Sequence, residues 1–290
     1  MLNSFKKNVF LKNFSTFNIG GPASYFCQIN NQHEALTILC YLHKNKLPYI
    51  IIGKGSNCLF NDEGFEGIVI LNKINHLNIS KEGLITVGSG YSFSHLCYKI
   101  SSLNFSGLEF GVGIPGSVGG AVYMNAGAHA LDTSQHLTFV TYINENLEIK
   151  KEKKENLNFG YRKSCFQKSS FFIMEACFQV NNNSSFNKKN IITLNKKRCS
   201  SQPLKYKSAG CIFKNPNPNI SAGFLIDSCG LKGLAKGDAE ISRTHANFII
   251  NKGKASAKDV LYLIEKIKTT VFNKTGILLE EEIKIIPYKK

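Results

Sequence analysis

Gly111-Val-Gly113-Ile114-Pro115-Gly116-Ser117-Val-Gly119-Gly120 is the stretch on which the fold turns. It contains a literal G-x-G-x-x-G, so a nicotinamide-binding Rossmann turn has to be weighed first. Its surroundings argue against that reading. The preceding Gly107-Leu-Glu-Phe110 is a poor central strand, Pro115 lies inside the motif, and no strand ending in an acidic residue follows about twenty residues on. What remains is a backbone nearly bare of side chains, continuing to Asn125-Ala-Gly127-Ala128, suited to lie against a large flat or phosphorylated ligand. Upstream, Ile50-Ile-Ile-Gly53-Lys54-Gly55-Ser56-Asn57 places Gly-x-Gly-Ser-Asn directly after an apolar strand. Unshielded N–H groups there can approach phosphate oxygens, and Ser56 and Asn57 add donors. An ordinary strand-to-turn junction carries the same two glycines, so spacing alone leaves both readings open.

Working outward, the first half reads as short strands and helices in alternation. Strands are expected at 24–29, 48–52, 68–71 and 84–87, with helices at 34–44, where Ala35, Ile38, Leu39 and Leu42 keep helical spacing, and at 92–103. Buried strands follow at 137–143 and 171–180, and the polar run 181–190 has the composition of an exposed connection. A domain boundary is expected near 195–205, with a helix able to span it. Beyond it come a loop and helix around 208–229 and short segments at 239–242 and 247–250. Ser256 stands three residues before Asp259, the spacing of a capping box; Val260, Ile264, Ile267 and Val271 form one face, and Gly276 stops the helix. A final strand at 277–286 carries Glu280, Glu281 and Glu282, with the outer two facing one way and the middle one the other.

Composition bounds the function. The 290 residues hold 36 Lys+Arg against 20 Asp+Glu and are 43% hydrophobic, which is globular and enough for one large core or two ordinary ones. No run approaches the roughly 18 apolar residues of a membrane span, and the start lacks a signal-peptide core, so a cytoplasmic protein is expected. The net charge of +16 raises nucleic-acid binding as an alternative. Only Arg162, Arg198 and Arg243 are arginines, however, and scattered lysine without a basic helix or aromatic-interleaved pattern suits solvated faces or attraction of small anions better than base reading. The nine cysteines form no closely spaced pairs and have no matching histidine pair, so neither zinc nor a disulfide framework is expected.

The motifs, taken together, resemble the UDP-N-acetylenolpyruvoylglucosamine reductase family. The resemblance rests on Thr16-Phe-Asn-Ile-Gly-Gly-Pro-Ala23, Gly53-Lys-Gly-Ser-Asn57, Asp62-Glu-Gly-Phe-Glu-Gly67, 107–121 with Met124-Asn-Ala-Gly-Ala128, and Phe159-Gly-Tyr-Arg-Lys-Ser164. It continues through Ser208-Ala-Gly-Cys-Ile-Phe-Lys-Asn-Pro216, 222–233, His245-Ala-Asn-Phe248 and Leu279-Glu-Glu-Glu-Ile-Lys284, in order along nearly the whole chain. It implies an α+β flavoenzyme with a two-part FAD-binding domain of the vanillyl-alcohol-oxidase (PCMH) type at 1–200, its subdomains meeting near 72, and a smaller α/β substrate domain at 201–290. The implied reaction uses NADPH to reduce the enolpyruvyl ether of UDP-N-acetylglucosamine to UDP-N-acetylmuramate in peptidoglycan precursor synthesis. Small-molecule partners only are implied, with no nucleic acid, no membrane and no required oligomer. Another FAD oxidoreductase of the same fold stands as the alternative, and substrate-dependent reoxidation of the flavin separates the two.

Carried over residue by residue, the resemblance has Gly53, Lys54, Gly55, Ser56 and Asn57, then Gly113, Ile114, Pro115, Gly116, Ser117 and Gly120, then Asn125, Gly127 and Ala128 line the FAD. Tyr161, Lys214 and Asn215 would bind substrate, and Arg162, Cys211 and Glu282 would form the catalytic set. Hydride addition to the enolpyruvyl methylene carbon leaves negative charge on the neighbouring carbon and its carboxylate. Arg162 would hold that carboxylate with paired donors, Glu282 would hydrogen-bond it, and position 211 would deliver the proton. The family pattern has serine where this chain has Cys211. A thiol, with a pKa of about 8.5, is the stronger acid so long as it stays protonated, and a nearby cation favours the thiolate that cannot donate. His245 is expected to serve structure or binding.

Overall fold

The computed structural model describes residues 1–182 and 188–289. Its elements, in chain order, are β1 (Lys6–Phe10), β2 (Pro22–Ile29), α1 (Gln32–Lys44), β3 (Tyr49–Ile52), β4 (Cys58–Phe60), β5 (Phe65–Asn72), β6 (Leu77–Ile79) and β7 (Leu84–Gly88). There follow α2 (Phe93–Ser102), α3 (Val118–Met124), β8 (Leu137–Ile143), β9 (Ile149–Lys153), β10 (Phe172–Gln179), α4 (Lys188–Ser201) and α5 (Ala222–Ser228). Last come β11 (Ala239–Ile241), β12 (Ile249–Asn251), α6 (Ala257–Thr275) and β13 (Lys284–Ile286). Two compact units interleave in sequence. The first takes Met1–Ser4, Cys27–Lys54 and Val69–Lys197; the second takes Phe5–Phe26, Gly55–Ile68 and the chain from Arg198 onward. The chain therefore changes unit inside β2, β5 and α4, and compactness does not follow the functional division expected at residue 200.

The first unit is built on an antiparallel sheet of order β9-β8-β10-β7-β6. Val140 of β8, Ala176 and Phe178 of β10, and Ile85 and Val87 of β7 are buried in one cluster with Phe93, Leu96, Cys97 and Ile100 of α2 and Val118 and Val122 of α3. The α2 residues recur at the spacing of one helical face, which is why this segment forms a helix against a sheet. The edge strand β9 reads Ile-Lys-Lys-Glu-Lys, and its charges discourage pairing with another chain.

In the second unit β1 pairs antiparallel with the start of β2, β13 runs parallel to β4, and Ala235–Lys236, β11 and β12 form a three-stranded sheet. The apolar face of α6, Val260, Ile264, Ile267 and Val271, is fully buried with Phe17, Leu59, Ile212 and Phe213. The expected capping box is present: Asp259 N donates to Ser256 Oγ at 3.1 Å and Ser256 N donates to Asp259 Oδ2 at 3.0 Å. Gly276 at φ +71° ends the helix. Asp62, in the turn between β4 and β5, adds a second cap, accepting from Ala257 N at 2.7 Å and Lys258 N at 3.1 Å. Asp62→Ala removes the acceptor of two otherwise orphaned donors and a negative charge from the positive end of the helix. It is expected to cost about 1–2 kcal/mol, read as a lower urea midpoint at unchanged m-value. An unchanged midpoint would show that water replaces the carboxylate.

Two expectations are corrected. The strand expected over 277–286 forms a ladder only at Lys284–Ile286. The glutamate run before it spends its backbone bonds on isolated links to the segment around Phe213, and Ile277 N turns back to Thr275 Oγ1 at 3.3 Å. The connection expected at 181–190 begins as a strand, Asn181–Asn182, paired with Phe105–Ser106, and helix α4 starts already at Lys188; residues 183–187 lie outside the described residues. Among the described residues no helix is long and apolar enough to cross a membrane.

Candidate active site

Both glycine segments contribute to the first unit as close-packed backbone. A Cβ on Gly53, at the end of β3, would collide with Ser117 Oγ, which caps α3 by accepting from Gly120 N at 3.2 Å. The 113–119 run is pinned along its length. Gly113 N donates to Ser94 Oγ at 2.7 Å, Phe93 N to Gly116 O at 3.1 Å, Val118 N to Tyr91 O at 2.9 Å and Gly119 N to Ser89 O at 2.8 Å. Gly113 at φ +84° and Gly116 at φ +143° hold conformations that a side chain resists. Pro115 and Gly120 remain exposed, and a Cβ on Gly120 would meet only Ser117 Oγ at 3.5 Å. A rigid strip of backbone with an open side fits the flat, phosphorylated body of FAD. Lys54 is exposed beside it, and its ammonium is held below the usual range by partial burial and then by the like charge of Lys73, a local positive field suited to phosphate.

Gly53→Ala is expected to drive Ser117 off its cap. Affinity for FAD, measured by quenching of flavin fluorescence, should weaken by about fivefold, the equivalent of the roughly 1 kcal/mol of a lost N-cap. Adding Ser117→Gly should recover part of it; a double variant no better than the single would show that the collision is not the cause.

Two further segments of this unit are tied to each other. Asn125, left-handed at φ +42° and buried, donates from Nδ2 to Gly160 O at 2.9 Å and accepts from Ser134 N at 2.9 Å. Its side chain is thus committed to shaping the 125–128 loop. Gly160 and Lys163 exchange backbone bonds of 3.0 Å, making a tight turn with Tyr161 and Arg162 at its tip. Arg162 sits there at φ +52°, where Gly or Asn would be at ease. Its Nη2 donates to Gly127 O at 2.8 Å, and its guanidinium lies 5.2 Å from the centre of the Tyr161 ring. The strained turn therefore presents an oriented guanidinium on the loop assigned to the cofactor.

The second unit gathers the other residues singled out from sequence. Gly55 at φ +58° has no room for a Cβ against Phe14 O, and its carbonyl accepts from Thr16 N at 3.2 Å. Asn57 donates from Nδ2 to Glu282 O at 3.0 Å, and its own carbonyl accepts from Lys284 N at 2.9 Å. Glu282 N in turn donates to Ile212 O at 2.7 Å, and Lys214 N to Glu280 O at 2.9 Å. On its other side the 211–213 segment is held by Asn247, whose carbonyl accepts from Ile212 N at 2.8 Å and whose side chain closes two bonds with the Phe213 backbone, at 2.9 and 2.8 Å. Thus Gly-Ser-Asn57, Cys211 and Glu282, far apart in sequence, belong to neighbouring segments of one unit. Lys214 is bonded to Glu280 at 3.2 Å, Glu280 being mostly exposed, an exchangeable pair. Asn215 Oδ1 accepts from Ala222 N at 3.1 Å at the start of α5.

His245 accepts from Asn247 N through Nδ1 at 3.3 Å and meets Phe248 edge-on at 4.9 Å; burial holds its pKa below the usual range, so it stays neutral as a packing and turn residue. Sequence reasoning missed Arg198, half-buried in the last turn of α4 with its Nε atom buried and unpartnered. Desolvation pulls its pKa down. The one available signal was its rarity, since only three arginines occur. Among the described residues no group of three His, Cys, Asp or Glu side chains is placed to hold a metal.

Comparison with known proteins gives matches over nearly the whole chain. Residues 202–286 match the family model described as UDP-N-acetylenolpyruvoylglucosamine reductase, C-terminal domain, and residues 23–151 match that of an FAD binding domain. The chain is 49% identical over 286 residues, 99% of its own length and 96% of the other, to the UDP-N-acetylenolpyruvoylglucosamine reductase of Chlamydia muridarum. It is 45% identical, over 99% of its own length and 95% of the other, to the enzyme of the same name from Protochlamydia amoebophila. The crystal structure of UDP-N-acetylenolpyruvylglucosamine reductase from Thermus caldophilus superimposes with a TM-score of 0.81 at 35% identity, covering 98% of this chain and 100% of that one.

Proposed function

The chain belongs to the UDP-N-acetylenolpyruvoylglucosamine reductase family, and from that premise we propose how its own residues divide the work. It is an FAD-dependent oxidoreductase that reduces UDP-N-acetylenolpyruvoylglucosamine in peptidoglycan synthesis, on an α+β fold that joins a PCMH-type FAD-binding domain to the family's C-terminal domain. NADPH is the proposed hydride source, residues 1–200 the FAD-binding portion, 201–290 the substrate-binding portion, and the cytoplasm the site of action. When bound, FAD supplies the hydride, taken from NADPH, that adds to the methylene carbon of the enolpyruvyl ether.

The chain's residues manage the charge that this addition creates. Gly53 to Asn57, Gly113 to Ser117 and Gly120 offer the cofactor closely approachable backbone and open surface, while Asn125, Gly127 and Ala128 carry the loop that Arg162 grips. Arg162 orients the substrate carboxylate and stabilises its growing charge. Glu282 hydrogen-bonds the same group, and Cys211 gives its proton to the carbon beside it. Tyr161, Lys214 and Asn215 bind the nucleotide sugar, Lys214 exchanging Glu280 for a phosphate oxygen. The observation that supports the reading is the chain of bonds from Asn57 through Glu282 to Ile212, which ties the segment next to Cys211 to the Gly-Ser-Asn turn within one unit. Incubation of the FAD-loaded protein with NADPH and the enolpyruvyl substrate tests it. Mass spectrometry should find a product heavier by two hydrogen atoms; recovery of unchanged substrate would refute the reading.

A further inference from the structure

The Thr16–Ala23 motif stands out in the sequence but takes no part in the charge handling assigned to Arg162, Cys211 and Glu282. Its first residues close a tight turn in the second unit. Phe17 N donates to Ser15 Oγ at 3.1 Å and Asn18 N to Ser15 O at 3.1 Å, with Asn18 left-handed at φ +57°. Phe17, fully buried, roots the turn in the same core cluster as Ile212 and Phe213, and its carbonyl accepts from Asn251 Nδ2 at 3.1 Å. Thr16, at the tip of the turn, bonds in two directions. Its N–H donates to Gly55 O at 3.2 Å, in the Gly-Ser-Asn turn, and its Oγ1 donates to Ser208 O at 2.8 Å, three residues before Cys211. The segment reached by that hydroxyl is fastened on either side of Cys211. Asn251 N donates to Lys207 O at 2.9 Å before it, and Asn247 holds Ile212 and Phe213 after it. Between these anchors Gly210 is left-handed at φ +78°, and a Cβ there would meet nothing within 4 Å, so packing against that side does not set how the chain enters Cys211.

We propose that Thr16 is a positioning residue whose hydroxyl clasps the 208–213 segment to the Gly-Ser-Asn turn, so that the group protonating the substrate carbon keeps a fixed place relative to the turn that meets the cofactor. The inference rests on Cys211 being that group. A hydroxyl is needed because the backbone N–H of residue 16 is already committed to Gly55, and Ser208 O belongs to no helix or strand that would supply a donor. Threonine also suits the task through its branched Cβ, which restricts the side-chain torsion and so holds the hydroxyl in one direction. Placement matters to the chemistry, since a displacement of about 1 Å in a reacting group can cost up to a hundredfold in rate. Valine at this position has the same shape and keeps the N–H. It therefore removes the clasp to Ser208 and leaves the bond to Gly55 in place.

Two measurements on FAD-loaded Thr16→Val test the proposal. Hydrogen exchange, read by mass spectrometry on the peptide spanning 206–213, should quicken by about fivefold, as for the loss of one such bond, while the peptide holding Gly55 exchanges as in the native protein. In anaerobic stopped flow, bleaching of the flavin by NADPH should stay within about twofold of native, and recolouring by the enolpyruvyl substrate should slow by about tenfold. Thr16→Ser, which keeps the hydroxyl, should restore both readings. Native exchange at 206–213, native recolouring, equal slowing of bleaching and recolouring, or a serine variant as slow as valine overturns the proposal. Should the valine variant not fold, Thr16→Ala, which sets no methyl against Ser208 O, takes its place with the same expected results. Adding Cys211→Ala separates the clasp from the donor assignment: if Thr16 acts through the thiol, the double variant recolours no more slowly than Cys211→Ala alone. Native recolouring in Cys211→Ala would sink the donor assignment, whereas slow recolouring there beside a native Thr16→Val would sink the clasp alone.

Discussion

Replacing Cys211 with alanine is expected to leave NADPH able to bleach the flavin absorbance while slowing the return of colour on adding the enolpyruvyl substrate by about a thousandfold, within the usual range for loss of a general acid. Binding surfaces on the glycine segments are untouched by this change. The 211–213 backbone is held by Asn247 and Glu282 through main-chain groups that alanine keeps, so the loss would report on the proton alone. Cys211→Ser should restore the second half-reaction and alter its pH dependence. A donor works only while protonated, so the native rate should be full below the thiol pKa and fall as pH rises through it, whereas a hydroxyl stays protonated throughout that range. Equal rates of recolouring in the native and alanine proteins, or identical alkaline limbs for cysteine and serine, would remove Cys211 from the donor role.

Arg162→Lys is expected to slow the same half-reaction by about a hundredfold although charge is conserved. The guanidinium offers a planar fork, one arm of which is already placed by Gly127 O at 2.8 Å, and an ammonium can match neither the geometry nor the paired donation to a carboxylate. Because loss of an oriented charge removes stabilisation that grows toward the transition state, the defect should appear in kcat more than in KM. The backbone supplies a control. Arg162 occupies φ +52°, so Arg162→Gly relieves a left-handed conformation and should leave the unfolding midpoint no lower than native while disabling the reaction. A lysine variant with native kcat, or a glycine variant that unfolds early, would recast Arg162 as a residue that holds the turn together.

Local signals carried far into this structure. The capping box at Ser256 and Asp259, the apolar stripe of α6 and the stop at Gly276 are short-range effects, and all three are found. The glycine runs were legible as bare backbone, yet the reason for Gly53 is a collision with Ser117, a residue more than sixty positions away, which no local pattern encodes. The final strand was overextended because its apolar and charged alternation suits any extended segment, whether or not a neighbour completes the ladder. Arg198 was illegible for a similar reason. It sits in the last turn of a helix of largely polar sequence, and the burial of its Nε depends on tertiary packing that no local pattern encodes. The interleaved units also escaped notice, since β2 and β5 each read as single strands although each serves both.

Anaerobic absorbance spectroscopy of the native protein is the most direct test of the central claim, that a flavin on these glycine segments passes hydride to an enolpyruvyl ether whose charge Arg162 and Cys211 then manage. The expected result is a yellow protein, or one that becomes yellow on taking up FAD, that a stoichiometric amount of NADPH bleaches and the UDP-sugar enolpyruvate recolours. A protein that binds no flavin, or that stays bleached in the presence of that substrate, would contradict it.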